Sequence, residues 1–324
     1  MANIPQQDPT VLAMYKGIED NHKESRRAYL GASSIGSSCA RQLWMNFRWV
    51  GTEKFTGRQL RLFNTGHLEE PRMVSDLIQA GVTVHEVDPD TNQQFAVSYH
   101  GGHFSGHTDG VGLGIKTNPT QWHLLEFKTH SEKSFNLLKK DGMVKSKPMH
   151  HAQMQVYMEG MGLDIGYYLA KNKNTDELYG EVVEYKPDVA QLFIDRAKTI
   201  IFDSEPSARI SDNPSWYECK WCNYSDYCHG TGADLPPELP DVNCRTCIHS
   251  TPKEDGTWLC ELYDKALSYD AQVAACGNHK FIPNLFPDLE IESTSAGCKN
   301  VFYRSKDGEL YNNSAMGVIE KTGE

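Results

Sequence analysis

The 324-residue sequence has no apolar run approaching the roughly 20 residues of a membrane span. Residues Met1 to Thr10 also lack the basic and apolar regions of a signal peptide. No membrane association is expected, and the expected location is the cytoplasm. The chain also lacks an excess of positive charge: 32 Lys and Arg stand against 43 Asp and Glu, a formal net charge of −11. That balance argues against gripping nucleic acid through the overall field, but it says nothing about local patches. No internal repeat is visible. A hydrophobic content of 39% with 23% charged residues is ordinary for a folded globular protein, so disorder is not expected. Nine cysteines are present. In a reducing compartment their clustering at two-residue gaps argues for metal ligation rather than disulfides.

The length suits one sizeable core with a smaller appendage. Apolar spacing predicts helices over Thr10 to Tyr29, over Cys39 to Val50 with the preceding serines as caps, and over Gly66 to Ala80. Further helices are expected over His150 to Gly160 and Pro187 to Asp203. Strands are expected at Val82 to Val87, Phe95 to Tyr99, Gly106 to Gly112, His123 to Phe127, Ile165 to Lys171 and Leu178 to Glu184. From Asn213 the composition shifts to Cys, Trp, Tyr and Pro, and Gly230 to Asp241 reads as a linker. The expected division is therefore residues 1–230 and 231–324. Two locally basic stretches stand out. Lys133, Lys139, Lys140, Lys145 and Lys147 face only Glu132 and Asp141, and a second run is Arg58, Arg61 and Arg72.

Asp109, in Gly106-His107-Thr108-Asp109-Gly110, is followed one hairpin later by Leu124-Leu125-Glu126-Phe127-Lys128. On a strand, residues two apart share a side, so Glu126 and Lys128 point together while Leu125 and Phe127 turn to the core. Carboxylates that can hold a hard divalent cation, with an ammonium beside them, are what phosphodiester hydrolysis needs. The same letters occur on many exposed strands, and the neighbouring motifs decide.

Over roughly Gly31 to Cys228 the chain resembles the PD-(D/E)XK nucleases, in particular the RecB-like and phage lambda exonuclease-like branches. Gly66-His67-Leu68-Glu69-Glu70 resembles their GxxxE/H helix motif, with Glu70 first and His67 second as the implied metal ligand. Gln153 to Tyr157 resembles the QxxxY motif, while the lambda-like register selects Gln155 over Gln153. The resemblance implies an α/β, restriction-endonuclease-like central mixed sheet flanked by helices. It also implies Mg²⁺ or Mn²⁺ on Asp109, Glu126, Glu70 or His67 and the carbonyl of Phe127, with Lys128 orienting the nucleophile.

Cys219, Cys222 and Cys228, with Cys39 far upstream, resemble the split four-cysteine site of the AddB-type and CRISPR-adaptation nucleases. That resemblance implies a [4Fe-4S] cluster. Four thiolates by themselves suit zinc equally. Cys244, Cys247, Cys260 and Cys276 form a second group around a hairpin expected at Asp255-Gly256. For this small Cys-rich C-terminal module zinc is expected, with His249 and His279 as substitute ligands and Cys298 unligated. The expected activity is a metal-dependent DNA exonuclease of recombination or repair, acting on DNA with a free end. It would work beside a single-strand annealing recombinase, in a bacterial host cell if phage-encoded. A structure-specific endonuclease and a catalytically silent DNA-binding module are the alternatives.

Overall fold

The computed structural model describes residues 8–23, 26–295 and 299–322, so Cys298 lies outside the described residues. In chain order the elements begin with helix α1 (Pro9–Asn21), strand β1 (Leu30–Gly31), helices α2 (Ala40–Phe47) and α3 (Gly57–Gln79), and strands β2 (Thr83–His85), β3 (Ala96–Tyr99), β4 (Phe104–His107), β5 (Val111–Leu113) and β6 (Trp122–His130). Helices α4 (Glu132–Ser146) and α5 (Pro148–Met161), strands β7 (Ile165–Asn172) and β8 (Leu178–Glu184), and helices α6 (Pro187–Phe202) and α7 (Ser225–His229) follow. The C-terminal part holds β9 (Ser250–Pro252), β10 (Trp258–Cys260), β11 (Lys265–Ala266), α8 (Tyr269–Ala274) and β12 to β15 (Glu290–Thr294, Val301–Arg304, Leu310–Ser314, Val318–Thr322).

The chain forms two compact units with interleaved segments. The first comprises Met1–Arg26, Glu53–Val97 and Gly106–Gln191; the second comprises Arg27–Thr52, Ser98–Ser105 and Leu192–Glu324. The position expected for the boundary, near residue 230, lies within the second unit.

The first unit is built on a five-stranded mixed sheet in the order β2-β5-β6-β7-β8. β6 and β7 are parallel, with Glu126 opposite Tyr168 and Lys128 opposite Ala170. A parallel pair needs a long crossover, and α4 with α5 supplies it. Leu125 and Phe127 of β6 pack with Met73, Val74 and Leu77 of α3 and Leu169 of β7. Each such side chain contributes about 1.5–3 kcal/mol when fully buried. A one-residue slip of β6 would send Glu126 and Lys128 into this cluster, so the apolar pair fixes their register. α3 starts at a capping box: Thr56 Oγ1 accepts from Gln59 N–H at 3.3 Å, and Gln59 Oε1 accepts from Thr56 N–H at 2.9 Å. The central mixed sheet flanked by helices is the expected α/β class.

In the second unit β1 pairs in parallel with the start of β4, Leu30 opposite Phe104. Farther on, β9 and β10 form the hairpin expected at Asp255-Gly256, with Gly256 at φ 89° and Asp255 Oδ1 accepting from Thr257 N–H at 3.0 Å. Strands β12 to β15 make a four-stranded antiparallel sheet.

Several elements differ from the sequence reading. The first helix ends at Asn21 rather than Tyr29, because no apolar position continues the period of Val11, Met14 and Ile18. α3 begins nine residues before the expected Gly66, at Gly57. Cys39, not a serine, caps α2, its sulfur accepting from Gln42 N–H at 3.3 Å. The strand expected over Gly106 to Gly112 breaks between His107 and Val111. The lysine-rich stretch is helix α4, broken at Gly142, where φ is 72°. No helix among the described residues is long and apolar enough to cross a membrane.

Candidate active site and two cysteine pockets

The break between β4 and β5 creates the first site. The ladder between β5 and β6 ends where Leu125 N–H donates to the carbonyl of Gly110 at 2.9 Å. Gly110 turns the chain at φ 124°, with His85 O only 2.5 Å from where a Cβ would lie. The next edge donor of β6, Phe127 N–H, would be orphaned; it donates to Asp109 Oδ2 at 2.7 Å instead. The same edge residue turns its carbonyl oxygen to Lys128 Nζ at 3.2 Å. Asp109 and Phe127 are thereby fixed side by side.

Glu126 is fully buried. Lys128 Nζ donates to its Oε1, and Gln153 Nε2 donates to its Oε2 at 3.0 Å. Burial pushes the Glu126 carboxyl up to about 7; Lys128 opposes that shift and Asp109 adds to it. Glu70, on α3, is also raised, first by burial and then by Asp109, while His67 and Lys128 pull it down. The Lys128 ammonium is held above its ordinary range, its burial outweighed by Glu126, Asp109 and Glu70. Four of the expected residues, Glu70, Asp109, Glu126 and Lys128, therefore act on one another electrostatically. His67 is well exposed, its Nδ1 lying 3.8 Å from Glu70 Oε1.

Of the two glutamines left open by the motifs, Gln153 is the one brought to Glu126. Gln155 donates to the carbonyl of Glu184 at 2.9 Å and accepts from Lys186 N–H at 2.6 Å, joining α5 to the end of β8. Tyr157 is 2% exposed and its hydroxyl sits 2.5 Å from where a Cβ on Gly106 would lie. In this conformation it offers no open face to a nucleic acid. The basic run is partly neutralised. Lys139 pairs with Glu177, Lys145 with Asp141 at 3.1 Å, and Arg72 with Asp176 at 2.6 Å. Lys147 Nζ donates to the carbonyl of Ser134 at 3.1 Å. Lys133, Lys140, Arg58 and Arg61 are exposed.

The sequence reading misses a neighbouring group. Tyr168 Oη lies 2.8 Å from His130 Nε2 and 2.8 Å from His150 Nδ1. With one proton, the hydroxyl donates to one ring and accepts from the other. Burial, with Lys147 and Lys128, drives His130 down to about 4. Burial, followed by Lys128 and His130, drives His150 down to about 3. Both rings are thus neutral at ordinary pH. The available signal was spacing: His130 is two residues beyond Lys128 on its strand, and His150 is three before Gln153 on its helix.

No family model matches this chain, and no curated protein matches it either. Solved structures do. An alkaline exonuclease from Laribacter hongkongensis aligns at 17% identity and a TM-score of 0.39, covering 54% of this chain and 87% of that one. The same exonuclease in complex with dAMP aligns at 16% identity and a TM-score of 0.38, with the same coverage. The structure of SSO0001 aligns at 16% identity and a TM-score of 0.39, covering 68% of this chain and 95% of that one.

The eight described cysteines fall into two pockets in the second unit. Cys39, Cys219, Cys222 and Cys228 line one cavity, and Cys244, Cys247, Cys260 and Cys276 line another together with His249 and His279. All eight thiols are unpaired. Burial raises Cys219 and Cys222 in the first pocket, with the neighbouring thiols adding to it. In the second, burial and the other three sulfurs push Cys244 up to about 12. Among the described residues no three His, Cys, Asp or Glu side chains already stand drawn together as a ligand set. The donor types nonetheless fit: hard oxygens short of positive charge beside β6, and four soft sulfurs in each cavity.

Proposed function

We propose that the first unit is a divalent-cation-dependent phosphodiesterase acting on DNA, an exonuclease that requires a free end. The observation that carries this reading is Glu126, a buried carboxyl raised to about 7 beside Asp109, with Lys128 its cationic partner. A second positive charge of small radius would offset the burial of this carboxylate and its repulsion by Asp109. Glu126, Asp109, Glu70 and the carbonyl of Phe127 are the oxygen donors that would hold Mg²⁺ or Mn²⁺. When bound, such a cation neutralises charge on the phosphate and makes water easier to deprotonate.

The chain's own side chains do the rest. Lys128 donates to the phosphate under attack or to the attacking water. Gln153 holds the Glu126 carboxylate in place from α5. His130 and His150, kept neutral, add no charge that would compete with the cation. Lys133, Lys140, Arg58 and Arg61 supply backbone phosphate contacts despite the acidic total. In the second unit, Cys39, Cys219, Cys222 and Cys228 would hold a [4Fe-4S] cluster that ties α2 to the Cys219–Cys228 segment. Trimming DNA ends suits recombination or repair beside a single-strand annealing protein.

The test is digestion of end-labelled linear DNA, closed circular DNA and RNA with Mn²⁺. Loss of linear DNA alone is expected, abolished by Glu126→Ala and by Lys128→Ala with DNA binding retained. Undiminished cleavage by either variant would reject the site. Cleavage of circles would replace the exonuclease with an endonuclease.

A further inference from the structure

We propose that the second unit carries a structural zinc ion on Cys244, Cys247, Cys260 and Cys276, and that this ion clamps Arg245 onto the end of α2.

The four sulfurs come from separate pieces of chain: a tight turn at Cys244–Thr246, the end of β10, and the segment after α8. They line one cavity. The sulfurs do not yet meet at a point, so the ion would draw them in. His279, 1% exposed on the same cavity wall, has an Nδ1 with no hydrogen-bond partner. Four thiolates leave no open position, which is the pattern of a structural rather than a catalytic zinc.

Arg245 gives the site a purpose. It sits between the first two cysteines, is 1% exposed, and makes its hydrogen bonds to neutral acceptors. Its guanidinium donates to the carbonyls of Phe47 at 3.0 Å and Ala28 at 2.8 Å and to Gln272 Oε1 at 2.9 Å. It lies 3.8 Å above the Trp49 ring. A buried guanidinium without a carboxylate is held only if its own backbone is rigid, since a small displacement strands its charge. Asn243 adds a second strut, donating to the carbonyl of Trp49 at 3.0 Å. Phe47 ends the helix that Cys39 caps, so Arg245 holds the far end of the helix whose residues Cys39, Arg41, Gln42 and Met45 line the first pocket. Zinc on the Cys244–Cys247 turn therefore sets the position of the helix that carries a wall of the other pocket.

The full chain is tested by zinc and iron analysis and by hydrogen exchange. The expected result is an equivalent of zinc, retained in Cys222→Ser and lost in Cys247→Ser. Should Cys247→Ser fail to fold, Cys276→Ser, whose side chain is exposed, must still lose it. Stripping the parent protein of zinc with a chelator should deprotect amides 43–49 by roughly 5–150-fold, the usual size of a coupling between linked sites. Added zinc should restore them. Absence of zinc from the parent, zinc retained in Cys276→Ser, or iron in this pocket would overturn the site. Unchanged protection at 43–49 after zinc removal would overturn the clamp.

Discussion

Replacing Glu126 by Gln should make the cation-free protein more stable at pH 8. In the folded protein this carboxyl is raised from 4.5 to about 7. A group raised on folding binds more protons folded than unfolded between those two values, so stability falls as pH rises through that window. Each unit corresponds to about 1.4 kcal/mol, which places the full destabilisation near 3 kcal/mol at pH 8 and near 1 kcal/mol at pH 5.5. Gln keeps the shape and removes the titration. It also removes the ion pair with Lys128, which forms only as Glu126 ionises; the pull of that lysine is already contained in the value of about 7 and so in the difference between the two pH values. The clean quantity is therefore the change in the difference between variant and parent from pH 5.5 to pH 8, expected to be roughly 2 kcal/mol in favour of Gln. Hydrogen exchange of the β6 amides under increasing urea, in EDTA, reports the first unit by itself. A difference that does not change with pH, or changes in the opposite sense, would refute the reasoning.

The two glutamines should separate cleanly. Gln153→Leu, which releases Glu126 and leaves its buried Oε2 without a donor, is expected to lower cleavage per folded molecule by roughly 10–100-fold and to destabilise by about 1–3 kcal/mol. Gln155→Leu removes hydrogen bonds to two part-buried backbone groups and should destabilise by about 0.5–1.5 kcal/mol, seen in urea unfolding, with activity per folded molecule retained. The His130–Tyr168–His150 group should remain neutral at pH 5. Because both rings lie below their ordinary 6.5, their contribution is present above 6.5 and is lost as pH falls toward about 4 and about 3. NMR titration of the ring protons checks this, and either ring titrating near 6.5 would contradict it.

Much was legible because it depends on local periodicity. The alternation around Glu126 and Lys128 is a property of five consecutive residues, and any strand built on Leu125 and Phe127 must turn the charged pair the other way. The second cysteine group was legible from its spacing, and its hairpin from Asp255-Gly256. Helix α4 was not, since a stretch dominated by lysine shows little apolar period beyond Phe135 and Leu138. Strands β12 to β15 are short, with polar residues on their exposed faces, and gave no comparable signal.

The sequence alone determined which side chains share a strand face and which cysteines stand within a turn of each other, because those relations follow from backbone geometry over a few residues. Only the tertiary structure decided that Asp109 caps the unpaired edge of β6, that Gln153 rather than Gln155 reaches Glu126, and that Tyr168 joins two distant histidines. It also decided that Arg245 spans from the second cysteine group to α2. Each of these joins residues far apart in the chain, and such pairings depend on how sheet and helices pack, which no local pattern encodes.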